Sequence, residues 1–352
     1  MPKEFDPRHL VVRVAEIGVV IALVALAISA LPGLGRLRSH LAHADPGWVA
    51  AAAAAEVGSC AGYVLVFRFT FCARMAWGLS SEIALAEQAA NSLLPAGGAG
   101  GLALGAWALH QAGMPTNHIG RRTVAFFVVT SAANFLGVIL AGIATFSGAL
   151  PGSRSVLFAL IPALLALLAT LLVAVSPHLL RRLGSPRPTE DRGRGHRIAE
   201  RVRGLLTGVA DGVDQALALL HAGSFGVVVG SFSYMAFDLA ALGCGFAATS
   251  HLSAIGTLLL GYLVGQLGNL IPIPGGVGGT EAGLVGMFAI YGVDVSHAAA
   301  AVVVYRLFEL AVPAILGLPA FVLLRRRLLR ADHPAAICAP LAFEPVELVA
   351  RQ

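Results

Sequence analysis

Five ionisable residues stand inside apolar stretches of this chain: Glu87, Asp238, Glu281, Arg306 and Glu309. Charge is costly in hydrocarbon and is kept there mainly for function, so each is a candidate site residue. Arg306 and Glu309 are three residues apart, on one face of a helix, and can neutralise each other. A guanidinium also holds phosphate in a bidentate fork, and a further carboxylate beside it suits a cationic group. Glu281 follows Thr280 directly, so it either complements a helix N-terminus or contacts a ligand. Glu87 and Asp238 have no local partner and read as inward-facing polar groups. Asn91, Asn269 and Gln266 flank two breaks in the apolar pattern, where freed backbone groups need partners. Glu281, Arg306, Glu309, Asp238, Glu87, Asn91 and Asn269 form the candidate substrate-binding set.

Covalent chemistry finds no footing. There is no nucleophile elbow, HExxH or supported carboxylate pair. His40 and His43 lack the further ligands of a metal site, so neither metal nor cofactor is expected. "LPAGGAGGLALG", from Leu94 to Gly105, resembles a phosphate loop in its glycines alone. It has no Lys-Ser or Lys-Thr behind them and no soluble strand before them. Cys60, Cys72, Cys244 and Cys338 form no CxxC and read as small apolar packers.

The elements that must position these residues are membrane helices. Of 352 residues, 57% are hydrophobic and 12% charged, and the mean hydropathy is +0.80. A soluble domain rarely approaches such values. Full spans are expected at 11–33, 47–70, 122–147, 154–176, 224–248 and 297–324, each long enough for about 30 Å of hydrocarbon. The first, flanked by Arg13 and Arg36, reads as an uncleaved span and not a signal peptide. Residues 80–111 and 253–291 are apolar but broken by Pro and Gly, which a continuous helix would avoid.

The two breaks match. "NSLLPAGGAGGLALG" runs from Asn91 to Gly105 and "NLIPIPGGVGGTEAG" from Asn269 to Gly283. Asn91 and Asn269, Gly97 and Gly275, and Gly105 and Gly283 each stand 178 residues apart. The hairpin breaks are Gly97, Gly98, Gly100 and Gly101 in one copy and Pro274, Gly275, Gly276, Gly278 and Gly279 in the other. Each region should be a re-entrant helical hairpin whose half-helix N-terminus, near Leu102 or Thr280, presents a positive dipole end to an anion. Close helix packing alone is the competing role for the glycines.

The net charge of +5 and the pI near 9.4 come from arginine-rich loops, which mark the cytoplasmic side and make lipid, not nucleic acid, the expected partner. Loop residues Arg181 to Arg203, the run Arg325 to Arg330, and Arg68, Arg74, Arg121 and Arg122 then lie inside; Arg36 and Arg38 fall outside, against the trend. Both termini are expected in the cytoplasm of an inner-membrane protein, with the hairpins entering from opposite faces. The expected fold is all-α: one integral membrane domain over 1–352, about six spans, two re-entrant hairpins and an inverted repeat. Residues 11–147 form the first half; 154–176 with 224–324 form the second. Residues 177–221 are an arginine-rich cytoplasmic loop ending in an amphipathic helix, which either lies on the membrane surface or simply connects, and 325–352 are a cytoplasmic tail.

"NLIPIPGGVGGTEAGLVGMFAIYGV", "VVVYRLFELAVPAILGLPAF" and "NSLLPAGGAGGLALGAWAL" resemble the transmembrane domain of the lysylphosphatidylglycerol synthase (multiple peptide resistance factor) family. The resemblance runs from Ala50 to Leu324. It implies flipping of aminoacylated phosphatidylglycerol, with Glu281 and Arg306 as the positions that match the family pattern. The soluble domain that attaches the amino acid in full-length relatives has no counterpart here, so no enzyme activity is expected. A lipid flippase or lipid-headgroup transporter is the leading expectation. The alternatives are a secondary transporter of a small anion and a membrane scaffold for an envelope lipid-synthesis enzyme. The oligomeric state is left open.

Overall fold

A computed structural model describes residues 35–93, 99–184, 194–222, 224–249, 254–266 and 279–330. The expected span at 11–33, and with it Gly97, Gly98, Asn269, Pro274, Gly275, Gly276 and Gly278, lie outside the described residues. So does the tail beyond residue 330.

The described chain is helical, in chain order α1 Gly35–Ala42, α2 Pro46–Phe71, α3 Trp77–Leu93, α4 Ala99–Gln111, α5 Thr116–Ser147, α6 Ile161–Gly184, α7 Arg194–His221, α8 Phe225–Thr249, α9 Ile255–Gly265, α10 Gly279–Ile290 and α11 Val295–Arg330. A π-helical turn, Val156–Leu160, leads into α6. Among the described residues α2, α5, α6 with its π-helical turn, α8 and α11 are long and apolar enough to cross a membrane. The fold is therefore an all-α polytopic membrane protein. At about 1.5 Å per residue, α4, α9 and α10 are too short to cross alone. The leucines Leu164, Leu165, Leu168, Leu171 and Leu172 of α6 are exposed, as hydrocarbon-facing side chains are.

Helix starts follow local chemistry. The Asp45 carboxylate accepts hydrogen bonds from the amides of Gly47 and Trp48, with Pro46 at the first helical position, a pairing that satisfies amides the helix leaves unmet. Asp294 does the same for the amides of Ser296 and His297 at α11, and the Ser296 hydroxyl, which also donates to it, does most to hold its carboxyl below the usual carboxylate range, with those amides adding to the effect.

Two boundaries differ from expectation. The arginine-rich loop expected from Pro177 begins later, because α6 continues through Pro177 to Gly184. Proline removes the amide that would have met the Val173 carbonyl; the Ser176 hydroxyl donates to that carbonyl instead, at 2.8 Å. Likewise α11 runs on to Arg330, so residues 325–330 are helix, where a tail was expected. Cys60 and Cys244 are free thiols, but Cys72 is disulfide-bonded and is not the simple packer its neighbours implied.

The centre of the molecule is the α2–α8 pair. A Cβ on Gly62 would lie 2.5 Å from the Tyr234 amide nitrogen, and one on Gly230 would lie 2.5 Å from that of Val66. Glycine here lets two backbones touch. Along this contact Gly58 meets Phe237, Gly62 meets Tyr234, Val66 meets Gly230, and Phe69 meets Gly226; numbers rise on one helix as they fall on the other. The helices are antiparallel. The offset of 178 residues that relates the two breaks also relates Ser59 on α2 to Phe237 on α8, at the middle of this pairing. Antiparallel packing of corresponding helices is what an inverted repeat requires. Several further contacts come in matching sets, α3 with α4 and α9 with α10, α2 with α5 and α8 with α11, α11 with α3 and α5 with α9, whereas the contacts of α6 and α7 with each other and with α5 have no counterpart among the described residues.

Candidate functional site

The glycines after the first break serve packing. Asn91, at the end of α3, accepts a hydrogen bond from the Gly101 amide at 3.0 Å, acting as a remote cap for α4. A Cβ on Gly101 would lie 2.5 Å from the Glu87 carbonyl, and one on Gly105 would lie 2.5 Å from Glu87 Oε2. Gly101 and Gly105 are one turn apart, so both open the same face of α4 to α3. Glu87 itself is buried and neighbours Tyr63 of α2, a tertiary neighbour that no local spacing reveals. The small cleft beside it, lined by Ala86, Leu93, Leu104, Gly317 and Phe321, is apolar.

The second half carries the charge. Glu281 lies in the first turn of α10. It meets Arg306 of α11, whose Nε donates to Glu281 Oε1 at 2.7 Å. Arg306 Nη1 donates to Glu309 Oε2 at 2.6 Å. The side chains are 12%, 28% and 24% exposed for Arg306, Glu281 and Glu309. Local i, i+3 neutralisation is thus only half of the arrangement; the second carboxylate arrives from α10. A buried guanidinium needs a charged partner, since leaving it with none costs about 3–5 kcal/mol; Arg306 has two.

Asp238 of α8, buried, lies one layer deeper. The Tyr305 hydroxyl donates to both of its carboxylate oxygens, at 3.1 and 3.0 Å, and the Tyr262 hydroxyl donates to Oδ2. Gln266 Nε2 donates to the Tyr305 hydroxyl at 3.3 Å. Tyr305 is fully buried and precedes Arg306, so α11 delivers one polar group to each layer. The network thus joins α8, α9 and α11, and α10 enters through Glu281.

Glu281, Arg306, Glu309 and Asp238 therefore share one region of the molecule, whereas Glu87 and Asn91 sit at the first break, on α3. Sequence reasoning missed Tyr262, Tyr305, Tyr63 and above all Glu56. Glu56 interrupts the run "AAAAAAEVGSC" of α2, is 3% exposed and stands one turn before Ser59, whose hydroxyl donates to the Tyr234 carbonyl one turn before Asp238 on α8. It met the same criterion as the five residues singled out, an ionisable group inside an apolar span.

A distinct polar cluster lies at the other end of the sequence's arginine-rich region. Arg181 of α6 meets Asp211 at 3.2 Å and also meets Asp214, both on α7, and Arg121 of α5 lies 3.6 Å from Asp211. These partly exposed pairs tie α7 to the bundle while Val202 and Leu205 stay exposed.

No curated protein and no solved structure gives a significant match to this chain. The family described as the lysylphosphatidylglycerol synthase TM region matches residues 14–317, and the chain belongs to that family.

Proposed function

We propose that the protein moves a phosphate-bearing membrane lipid with a cationic headgroup, such as an aminoacylated phosphatidylglycerol, between bilayer leaflets. Family membership supports a lipid-related transport role. The observation that carries the finer reading is the Glu281–Arg306–Glu309 triad, in which one guanidinium is shared by two carboxyls. Such a triad can exchange partners. A lipid phosphate takes the Arg306 fork from one glutamate, and the released glutamate takes the cationic group of the same headgroup. Charges are never left bare in the bilayer, which is the requirement for a polar headgroup to cross. The excess of carboxyl over guanidinium favours this zwitterion-like substrate over a small anion, which would meet net repulsion once Arg306 was occupied.

Reconstituted in vesicles with labelled aminoacyl lipid, the protein should speed transbilayer exchange. Arg306→Ala should reduce the rate to that of protein-free vesicles, and Arg306→Lys, which keeps the charge but loses the fork, should fall between. Exchange of a small anion without lipid movement would establish the solute-transporter alternative. Equal lipid and anion exchange in vesicles with and without protein would leave a scaffold for an envelope lipid-synthesis enzyme as the better reading.

A further inference from the structure

Glu56 belongs to no part of the triad, yet it is placed with care. Its carboxyl lies beside that of Asp238, since Ser59, one turn after it on α2, donates to the Tyr234 carbonyl, one turn before Asp238 on the antiparallel α8, while its Oε2 is buried without a hydrogen-bond partner. Two ionised carboxylates side by side in the bilayer repel each other, so the pair holds a proton unless a cation meets it. Asp238 cannot supply the countercharge, and Arg306 already donates to Glu281 and Glu309. The hydroxyls of Tyr262 and Tyr305 are given to Asp238. The groups around the pair are Cys60 on α2 and Tyr234 on α8, Tyr262 on α9, and Tyr305, Arg306 and Glu309 on α11. Tyr63 and Glu87 lie beyond Tyr234. Arg306 is thus the one cation among the described groups that face this pair.

Position matters as much as chemistry. Glu56 comes from the first repeat half and Asp238 from the second, and they face each other within about one turn of the Ser59–Phe237 midpoint of the antiparallel α2–α8 pair. Alternating access in inverted-repeat transporters moves one half against the other about a central site. A proton shared across that boundary is held when the halves meet and released when they part.

We propose that the Glu56–Asp238 pair is a proton-binding site that gives up its proton when the cationic group of the lipid headgroup reaches the neighbouring glutamates of the Arg306 triad. The exchange balances for a headgroup that carries one positive charge more than its phosphate: one proton leaves the carboxyl pair for water on one side as that headgroup enters, and the pair is reprotonated from the other side after the headgroup leaves. This inference rests on the lipid-transport reading and adds its driving force. The antiport sign follows. Protons leave the acidic compartment, so the cationic lipid accumulates in the leaflet facing it, up to about tenfold per pH unit for one proton per lipid.

Two measurements test it. Infrared spectra of the full-length protein in membranes should show a protonated-carboxyl band that changes with pH and shifts in heavy water, and Glu56→Gln should remove it. In vesicles of phosphatidylglycerol with a trace of labelled aminoacyl phosphatidylglycerol, an acidic lumen should drive that lipid to the inner leaflet. Unmodified phosphatidylglycerol should not respond. Glu56→Gln should lose the gradient response while keeping gradient-free exchange; if that variant fails to fold, Asp238→Asn should remove the band in its place. A band insensitive to pH and heavy water makes the proton a fixed structural one and overturns the inference. Lipid exchange that ignores the gradient overturns the coupling while leaving the transport reading intact. Absence of any lipid exchange overturns both, whatever the band does.

Discussion

Arg306 is shared between two carboxylates on different helices, so the three side chains should behave as one unit. Glu281→Gln or Glu309→Gln alone leaves the guanidinium one charged partner, and each should cost little stability. The double substitution leaves a cation that is 12% exposed with amide acceptors only, and should cost about 3–5 kcal/mol. Thermal unfolding in detergent of the two single variants and the double variant would measure this. A double-variant loss equal to the sum of two small losses would deny the shared arrangement. The participants Arg306, Glu309 and Glu281 were legible as types, because charge in an apolar run is conspicuous. Their convergence was legible only in part: i, i+3 spacing gives Arg306–Glu309, but nothing in the linear order brings α10 to α11. Glu56 is the instructive omission. It was visible by the same criterion, but an alanine-rich neighbourhood offered no second polar residue, and its partner lies 182 positions away.

At the scale of elements, glycine does two jobs that look alike in sequence. In "GGAGGLALG" the later pair, Gly101 and Gly105, opens one face of α4 to α3, with backbone and carboxylate oxygens where a side chain would be. Gly101→Ala would press a methyl group onto the Glu87 carbonyl and Asn91 Oδ1, and overpacking of this kind costs about 1–3 kcal/mol. Gly208→Ala on α7, where a Cβ meets nothing within 4 Å, should be neutral or slightly stabilising by helix propensity. Melting temperatures of the two variants in the same detergent should move in opposite directions or differ clearly in size. Breaks and spans were legible because bilayer thickness fixes a length and Pro/Gly clusters interrupt it. Helix ends were less so. Pro177 reads as a stop, but a serine hydroxyl one residue earlier meets the orphaned carbonyl and the helix continues.

At the scale of the whole molecule, the constant offset of 178 residues makes a prediction that no single helix makes. Asn117 and Val295 are related by that offset and stand near the starts of α5 and α11, both exposed. Their helices follow the two broken hairpins. If the halves are inverted, an arrangement with which the antiparallel contact of α2 with α8 agrees, these equivalent positions face opposite compartments. By the positive-inside rule, the arginines at 121 and 122 predict the first inside, and the arginine run at the far end of α11 predicts the second outside. In a cysteine-free background, Asn117→Cys should react with a membrane-impermeant thiol reagent only after the cells are opened, and Val295→Cys should react in intact cells. The same result from both positions would mean that the halves are parallel.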